Sequence, residues 1–180
     1  MIYVISDTHF GHANIISLCN RPFSSVEEMD RIMIENWNSV VKPEDDVYIG
    51  GDFAHKSTDP CRYADMLNGR KHLVIGNHDR KNLKNPEFRR RFVEIGDILT
   101  FWYNGTKIVL CHYPLAEWDG MYRGALHFFG HIHNNENNAQ KIMRDVKGAY
   151  NISAELLGYK PKTIEEIIGT GERGIFCQWA

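Results

Sequence analysis

The sequence predicts an α/β fold in a single domain spanning residues 1–180. Short apolar runs alternate with helical segments in the first half of the chain, which is typical of a parallel sheet covered by helices. In the second half, two strand-like runs joined by Asn104-Gly105 predict a hairpin, so some strands are expected to pair antiparallel. A chain of 180 residues, 43% of them hydrophobic and 24% charged, is long enough to bury one globular core.

The first half of the chain contains three apolar runs that predict buried strands, with helical segments between them. A capping-box pattern at residues 24–28 opens a helix whose apolar positions continue to Val40, and Lys42-Pro43 ends it. Asp59-Pro60 indicates the start of the next helix, because proline is favoured in the first helical turn. The three strands are expected at residues 2–6, 46–50 and 72–75.

The second half of the chain predicts the hairpin and the closing elements of the fold. The hairpin strands are expected at Ile98–Tyr103 and Thr106–Cys111, followed by a short strand at residues 125–129. Near the end, Thr163 is expected to cap a short helix. Residues 174–178 are expected to form a last edge strand.

The composition limits the classes of function. A net charge of −2 gives no overall attraction for anionic polymers or membranes, so a nucleic-acid partner stays open without being indicated. The sequence shows no secretory leader, and no apolar run reaches membrane-spanning length. Four scattered cysteines without CxxC spacing give neither a disulfide framework nor a zinc ribbon. We expect a cytoplasmic protein that does not associate with membranes, and its oligomeric state stays open.

Five short polar islands supply nitrogen and oxygen ligands, and each of them follows or ends a predicted strand. Ligands collected at several strand ends predict one shared metal centre. The islands are Asp7-Thr8-His9, Gly51-Asp52, Gly76-Asn77-His78-Asp79, His112 and Gly130-His131-Ile132-His133.

Each island has an ordinary explanation when it is taken alone. Asp7 could cap the following turn, Asp52 could belong to a polar loop, and Asn77 could cap a helix. A lone histidine such as His112 is more often a packed or surface residue than a ligand. That explanation is hard to sustain when one further island, Gly130-His131-Ile132-His133, brings two more histidines to a strand end. We therefore favour the shared metal centre.

The residue types in these islands suit a transition-metal site. Asp7 and His9 are two residues apart in an extended segment, so both side chains can reach one ion. A carboxylate beside an imidazole suits Mn, Fe, Zn, Co or Ni better than Ca or Mg alone. Asp52 has two oxygens and can bridge two metals. Asn77 can bind a cation without adding charge, and His78 can point at a reacting group.

The five islands, in this order, resemble the signature of the calcineurin-like metallophosphoesterases over residues 5 to about 135. Residues 151–153 and 160–167 are similar, more weakly, to the family's closing strand and tail. The resemblance implies a two-sheet β-sandwich flanked by helices in four αββα layers. It also implies a dinuclear centre bridged by Asp52. One metal would be held by Asp7, His9, Asp52 and His133, and the other by Asp52, Asn77, His112 and His131.

The same resemblance implies a metal-dependent phosphohydrolase with two divalent ions as cofactors, manganese being favoured over Fe, Zn, Ni and Co. Hydrolysis would proceed by attack of a hydroxide that bridges the two ions. Asp52 and His78 are the predicted catalytic residues, with His78 near the leaving-group oxygen. The expected substrate is a phosphate ester, with a nucleotide among the candidates and a phosphodiester favoured over a phosphomonoester. The alternative is a non-catalytic scaffold module that keeps the fold.

The sequence departs from the protein-phosphatase branch of the family in two ways. That branch places an acid three residues after the bridging aspartate, where this chain has His55. The arginines that the branch carries beside these motifs are replaced as well, because Ile75 precedes Gly76 and Lys56 follows His55. A phosphoprotein substrate is therefore less expected.

Several groups near the predicted site have open roles. His12, His55 and Asn77 are candidate substrate-binding residues, and a surface role for the two histidines is about equally plausible. The basic segment 80–91 could guide a nucleotide or an RNA end, but a solvated helix face is the favoured interpretation. Trp118 and Tyr122 could stack on a base from a loop, and a packing role is equally plausible.

Overall fold

Two mixed β-sheets flanked by helices form in the computed structural model, which describes residues 1–57 and 59–169. The expected strand at residues 174–178 lies outside the described residues. The described strands are β1 (Ile2–Ile5), β2 (Asp46–Ile49), β3 (Arg70–Val74), β4 (Phe92–Gly96), β5 (Ile98–Tyr103), β6 (Thr106–Cys111), β7 (Leu126–Phe129), β8 (Ala149–Asn151) and β9 (Lys162–Thr163). The described helices are α1 (Ala13–Leu18), α2 (Val26–Asn38), α3 (Pro60–Met66), α4 (Asp79–Asn82), α5 (Pro86–Arg89), α6 (Asn138–Arg144) and α7 (Ile164–Ile168), with a 3-10 turn at Met121–Arg123.

The first sheet has the order β4-β3-β2-β1-β9, and β1 to β4 are parallel, as the alternation of strands and helices predicts. Strand β9 closes the far edge antiparallel to β1. Strand β4 was not predicted, because Val93 and Glu94 are exposed at the sheet edge and interrupt its apolar pattern. Parallel pairing brings the carboxyl ends of β1, β2 and β3 to one edge of the sheet.

The second sheet has the order β5-β6-β7-β8. Strands β5 and β6 form the predicted hairpin, in which Tyr103 pairs with Thr106 across a two-residue turn. Asn104 and Gly105 have φ angles of 46° and 79°, the left-handed conformation that a type I′ turn requires at both positions. Strands β7 and β8 then add parallel to β6 and to each other, so the ends of β6 and β7 also lie side by side.

The two sheets share one apolar core. The ring of Tyr48 on β2 stacks on that of Phe101 on β5, with 3.8 Å between their centroids. Leu73, Ile108 and Phe128 come from the two sheets, are fully buried and belong to the same hydrophobic cluster. The predicted fold class, two sheets flanked by helices, is confirmed. Among the described residues, no helix is long and apolar enough to cross a membrane.

The predicted helices begin at the residues that were expected to cap them. Ser25 caps α2 by accepting a hydrogen bond from Glu28 N, and Asp59 caps α3. Thr163 and Glu166 form a reciprocal capping box at the start of α7. Helices α1, α4, α5 and α6 were not predicted, because they have four to seven residues each and are too short to show a full apolar period.

Trp37 allows a direct test of the core. This α2 residue is 1% exposed, and its Nε1 donates to Asn68 O over 3.0 Å. We expect Trp37→Ala to lower the free energy of unfolding by about 3–5 kcal/mol in chemical denaturation, because it leaves a cavity. Trp102 is 67% exposed, and Trp102→Ala is expected to change that free energy by less than about 0.5 kcal/mol. Similar losses in both variants would contradict the assigned core.

Candidate metal centre

The five islands meet at the strand ends, as the sequence predicts. β1, β2 and β3 lead into the first three islands, while β6 and β7 lead into the last two. Two neighbouring groups of side chains result, and in each of them nitrogen and oxygen atoms of different islands lie close together. The residues brought together are Asp7, His9, Asp52, Asn77, His112, His131 and His133.

The first group consists of Asp7, His9 and His133, whose ligand atoms all lie within 4.8 Å of one another. His133 Nε2 is 3.8 Å from Asp7 Oδ1. The His9 and His133 rings lie 5.2 Å apart between centroids. All three residues are buried, so their ligand atoms face each other rather than solvent.

The second group is arranged around Asn77. Its Oδ1 lies 3.0 Å from His112 Nε2 and 3.1 Å from His131 Nδ1. His112 Nδ1 donates to Gly50 O over 2.9 Å, which leaves Nε2 without a proton in the neutral ring. Asn77 is exposed and His131 is partly exposed, so this group forms the open side of the cluster.

Asp52 lies between the two groups. Its Oδ2 is 3.5 Å from His9 Nε2 in the first group and 3.5 Å from His112 Nε2 in the second. Two ligands bound about 2.1 Å from one tetrahedral ion are roughly 3.4 Å apart, so both distances match shared coordination. The other oxygen, Oδ1, accepts a hydrogen bond from His78 N over 2.8 Å.

The backbone at the cluster is strained. Five of the candidate ligands have positive φ angles, between 49° and 69°. This left-handed conformation is unfavourable for a residue with a Cβ atom, by roughly 1–3 kcal/mol for each residue. Such strain persists where the surroundings fix the backbone, and it is concentrated at functional sites. The five strained residues are Asp7, His9, Asp52, His131 and His133.

At two glycines of the islands, a carboxylate lies so close to the backbone that a residue with a Cβ atom would not fit. A Cβ atom at Gly76 would overlap Asp52 Oδ1 and the Asp52 backbone nitrogen. At Gly130, it would overlap the Ser6 hydroxyl and Asp7 Oδ2. Asp7 therefore packs directly against the backbone of the last island, and its carboxylate accepts a hydrogen bond from His131 N.

The electrostatics of the cluster favour a cation. Burial, followed by the charge of Asp7, raises the pKa of Asp52 to about 7. Burial is also the main cause that lowers the pKa of His9 well below its usual value. His9 Nε2 is buried and makes no hydrogen bond to any described residue. Divalent ions fit this chemistry, because they would relieve the carboxylate repulsion and give that nitrogen a partner.

The pKa of His133 is shifted upward, in the direction opposite to the shift of His9. Burial alone would lower the pKa of His133, but hydrogen bonds to Cys19 and Glu155 and the charge of Asp7 raise it to about 11. A site that holds a proton this firmly also attracts a cation, and a bound metal ion would displace that proton.

Three residues that support the cluster were given no role in the predictions from the sequence. The Asp79 carboxylate is buried and accepts hydrogen bonds from the backbone nitrogens of Asp52, Phe53 and Gly76. The sequence signal for Asp79 was its position directly after His78 in the third island. Arg21 and Glu155 form a buried ion pair under His133. No periodicity marks either residue, because they are 134 positions apart in the chain.

The remaining site candidates lie together on one side of the cluster. His78 Nε2 is 4.0 Å from Asp52 Oδ2, and the His55 ring lies 4.0 Å from the His78 ring between centroids. His12 is 4.5 Å from His55 in the same measure, and its Nδ1 is 3.3 Å from His9 Nδ1. His12 and His55 therefore flank the cluster, and their role in substrate binding stays a prediction.

Two other features have structural explanations. Trp118 is buried, and its Nε1 donates to Ala125 O, which agrees with packing rather than base stacking. In the basic segment 80–91, Arg80 pairs with Asp97, and Arg91 pairs with Asp65. These partly exposed ion pairs agree with a solvated surface.

The fold and the cluster together define an α/β protein with a candidate metal-binding centre at the carboxyl ends of its strands. The chain belongs to the calcineurin-like phosphoesterase family, whose model matches residues 1–161. Membership makes the protein a metal-dependent phosphoesterase with divalent metal ions as cofactors, and the predicted family is confirmed.

Several individual proteins are similar to this chain. An uncharacterised protein of Methanocaldococcus jannaschii is 38% identical over 176 residues, which cover 96% of this chain and 92% of that protein. The crystal structure of a protein of unknown function from Aquifex aeolicus is similar, with a TM-score of 0.76 and 31% identity, covering 94% of this chain and 98% of that one. The gene 66 protein of Mycobacterium phage L5 is 38% identical over 78 residues, covering 41% of this chain and 37% of the phage protein.

A substitution at Gly130 tests whether the Asp7 carboxylate packs against the backbone of the last island. We expect Gly130→Ala to weaken divalent metal binding about 10–100-fold, because the new methyl group displaces the Asp7 carboxylate. Isothermal titration of the metal-free protein with Mn²⁺ measures the change. Gly124→Ala is the control, because Gly124 has a φ of 85° but open space around it. It is expected to lower stability without changing metal affinity. Wild-type affinity in Gly130→Ala would refute the assigned contact.

Proposed function

We propose that the protein hydrolyses phosphodiesters at a centre of two divalent metal ions, with manganese as the favoured metal. The observation that carries the proposal is the position of Asp52 Oδ2, which is equally distant from His9 Nε2 and His112 Nε2. One carboxylate oxygen between two separate donor groups is the arrangement that a bridged pair of ions needs.

Seven residues would hold the two ions. Asp7, His9 and His133 would complete one coordination sphere, and Asn77, His112 and His131 the other, with Asp52 common to both. When bound, two divalent ions supply Lewis acidity toward water and toward the phosphoryl oxygens. The protein contributes two carboxylates and otherwise neutral ligands, so the loaded centre keeps excess positive charge for an anionic substrate.

His78 is the proposed proton donor to the leaving oxygen. Its backbone nitrogen donates to Asp52 Oδ1, which ties the residue to the cluster. The side chain is 34% exposed, so it can reach a substrate at the open side. Burial first, and the neighbouring His112 second, lower the pKa of His78, so the ring needs the negative charge of a bound phosphate nearby to hold the proton that it donates.

The surroundings of His78 support a diester substrate over a phosphoprotein or a simple monoester. A diester carries one negative charge, whereas a monoester carries up to two and is typically held by arginine forks. His12 and His55 flank His78 instead, and burial is the main cause that lowers the pKa of both. Neutral imidazoles suit a singly charged phosphate, and a nucleotide diester is among the candidates.

A non-catalytic scaffold is the competing proposal. Scaffolds that keep a catalytic fold have no need of a complete ligand set. Here all seven candidate ligands converge, and His78 contacts the cluster, so catalysis is favoured.

Two variants separate metal binding from proton donation. Asp52→Ala is expected to lose bound metal and hydrolysis together, because it removes the shared ligand. His78→Ala is expected to keep the metal content and to lower kcat about 10²–10⁴-fold, because it removes only the proton donor. Elemental analysis gives the metal content, and Mn²⁺-loaded protein is assayed with bis-p-nitrophenyl phosphate and p-nitrophenyl phosphate.

The same assays decide between the proposals. Faster turnover of the monoester would overturn the diester preference. No turnover of either compound with several metals would favour the scaffold. Equal metal loss in both variants would contradict the roles assigned to Asp52 and His78.

A further inference from the structure

A buried ion pair lies under the proposed metal centre, and the proposed reaction gives it no role. Arg21 Nε and Nη2 both donate to Glu155 Oε1, over 2.9 and 2.7 Å. The Arg21 side chain is 0% exposed and that of Glu155 is 2% exposed. Burying an ion pair requires the desolvation of both charges and gives little net stability, so stability alone does not explain it.

Glu155 acts on the orientation of His133. Its Oε1 lies 3.0 Å from His133 Nδ1. An ionised carboxylate only accepts hydrogen bonds, so Nδ1 carries the proton and donates it. In the neutral ring Nε2 then keeps its lone pair, and this atom is the one near Asp7. Carboxylates paired with histidine in this way fix the tautomer and orientation of metal ligands.

Arg21 acts on the turn that carries Asp7 and His9. Its Nη2 donates to Asp7 O over 2.7 Å, and its Nη1 donates to Thr8 O over 3.0 Å. Asp7 and Thr8 are fully buried, so these carbonyls need a donor from within the protein. The turn is strained, because Asp7 and His9 both have positive φ angles. One guanidinium therefore fixes the strained turn and Glu155 at the same time.

From these contacts we infer that Arg21 and Glu155 are positioning residues for one of the two metal ions, the ion held by Asp7, His9 and His133. The inference rests on the proposed function, since it needs a metal centre to act on. The other half of the centre has a different support, because His112 Nδ1 donates to the backbone oxygen of Gly50. Loss of the ion pair should therefore affect the two ions unequally.

A third metal ion is the competing explanation for this region. Cys19, His133 and Glu155 have ligand atoms within 4.8 Å of one another. The guanidinium of Arg21 already binds Oε1 of Glu155, and its positive charge opposes a cation there. The positioning role fits this charge, whereas a third ion does not.

The test compares Mn²⁺ binding by metal-free wild type, Glu155→Gln and Arg21→Lys in isothermal titration calorimetry. We expect two ions in the wild type. In Glu155→Gln, one of them should bind about 10–100-fold more weakly while the other is unchanged. Arg21→Lys keeps the charge but cannot make the forked set of hydrogen bonds, so the same ion should weaken. Circular dichroism checks that each metal-free variant is folded.

The matched control is Glu35→Gln, which breaks the exposed Arg31–Glu35 pair and should leave both affinities unchanged. A second measurement follows His133 in Zn²⁺-loaded protein by NMR. Its Nδ1 proton should resonate downfield in the wild type and in Glu35→Gln, and should move upfield in Glu155→Gln. A purely structural role for Glu155 would lower stability without this selective change.

The outcomes that overturn the positioning role are distinct from failure of the proposed function. Unchanged affinities in folded Glu155→Gln, or equal weakening of both ions, would overturn the positioning role alone. Three ions in the wild type and two in Glu155→Gln would overturn it in favour of the site at Cys19. No divalent binding by the wild type would instead refute the proposed metal centre. If Glu155→Gln does not fold, the same criteria apply to Arg21→Lys.

Discussion

Repulsion between two buried carboxylates, Asp7 and Asp52, is the constraint on which the rest of the site depends. Both face one cluster of imidazoles out of contact with solvent, and the charge of Asp7 adds to burial in raising the pKa of Asp52 to about 7. His9 contributes a buried nitrogen without a hydrogen bond to any described residue. A divalent cation resolves both problems together. The burial and the mutual repulsion of the two carboxylates thus account for the affinity of the cluster for cations.

The fold supplies the rigidity that holds these groups together against their repulsion. Parallel strands bring three islands to one edge, and the second sheet adds two more. Five candidate ligands then adopt left-handed backbone conformations, which persist where the surrounding structure fixes the backbone. The Asp79 carboxylate binds three backbone nitrogens, and the Arg21 guanidinium binds two backbone carbonyls. The chemistry at the surface of the cluster therefore depends on hydrogen bonds beneath it.

Strands β1 to β3 and β5 to β7, the capped helices and the meeting of the five islands could be predicted because their signals are local. An apolar run, a Ser-x-x-Glu cap or an Asn-Gly turn acts over a few residues, and the islands stand directly after such runs. Strand β4 and the short helices could not, because an exposed sheet edge and four to seven residues give too weak a period. Arg21 and Glu155 were missed because their pairing exists only in the folded chain. The natural substrate is also beyond the sequence, since it depends on the shape of the open side around His78.

The central claim is that Asp52 is shared by two metal ions. Anomalous X-ray diffraction from crystals of Mn²⁺-loaded protein tests it most directly, because the peaks locate manganese without reference to the ligands. Two peaks roughly 3.5–4 Å apart are expected, both beside the Asp52 carboxylate. One should lie against Asp7, His9 and His133, and the other against Asn77, His112 and His131. A single peak, or peaks away from Asp52, would contradict it.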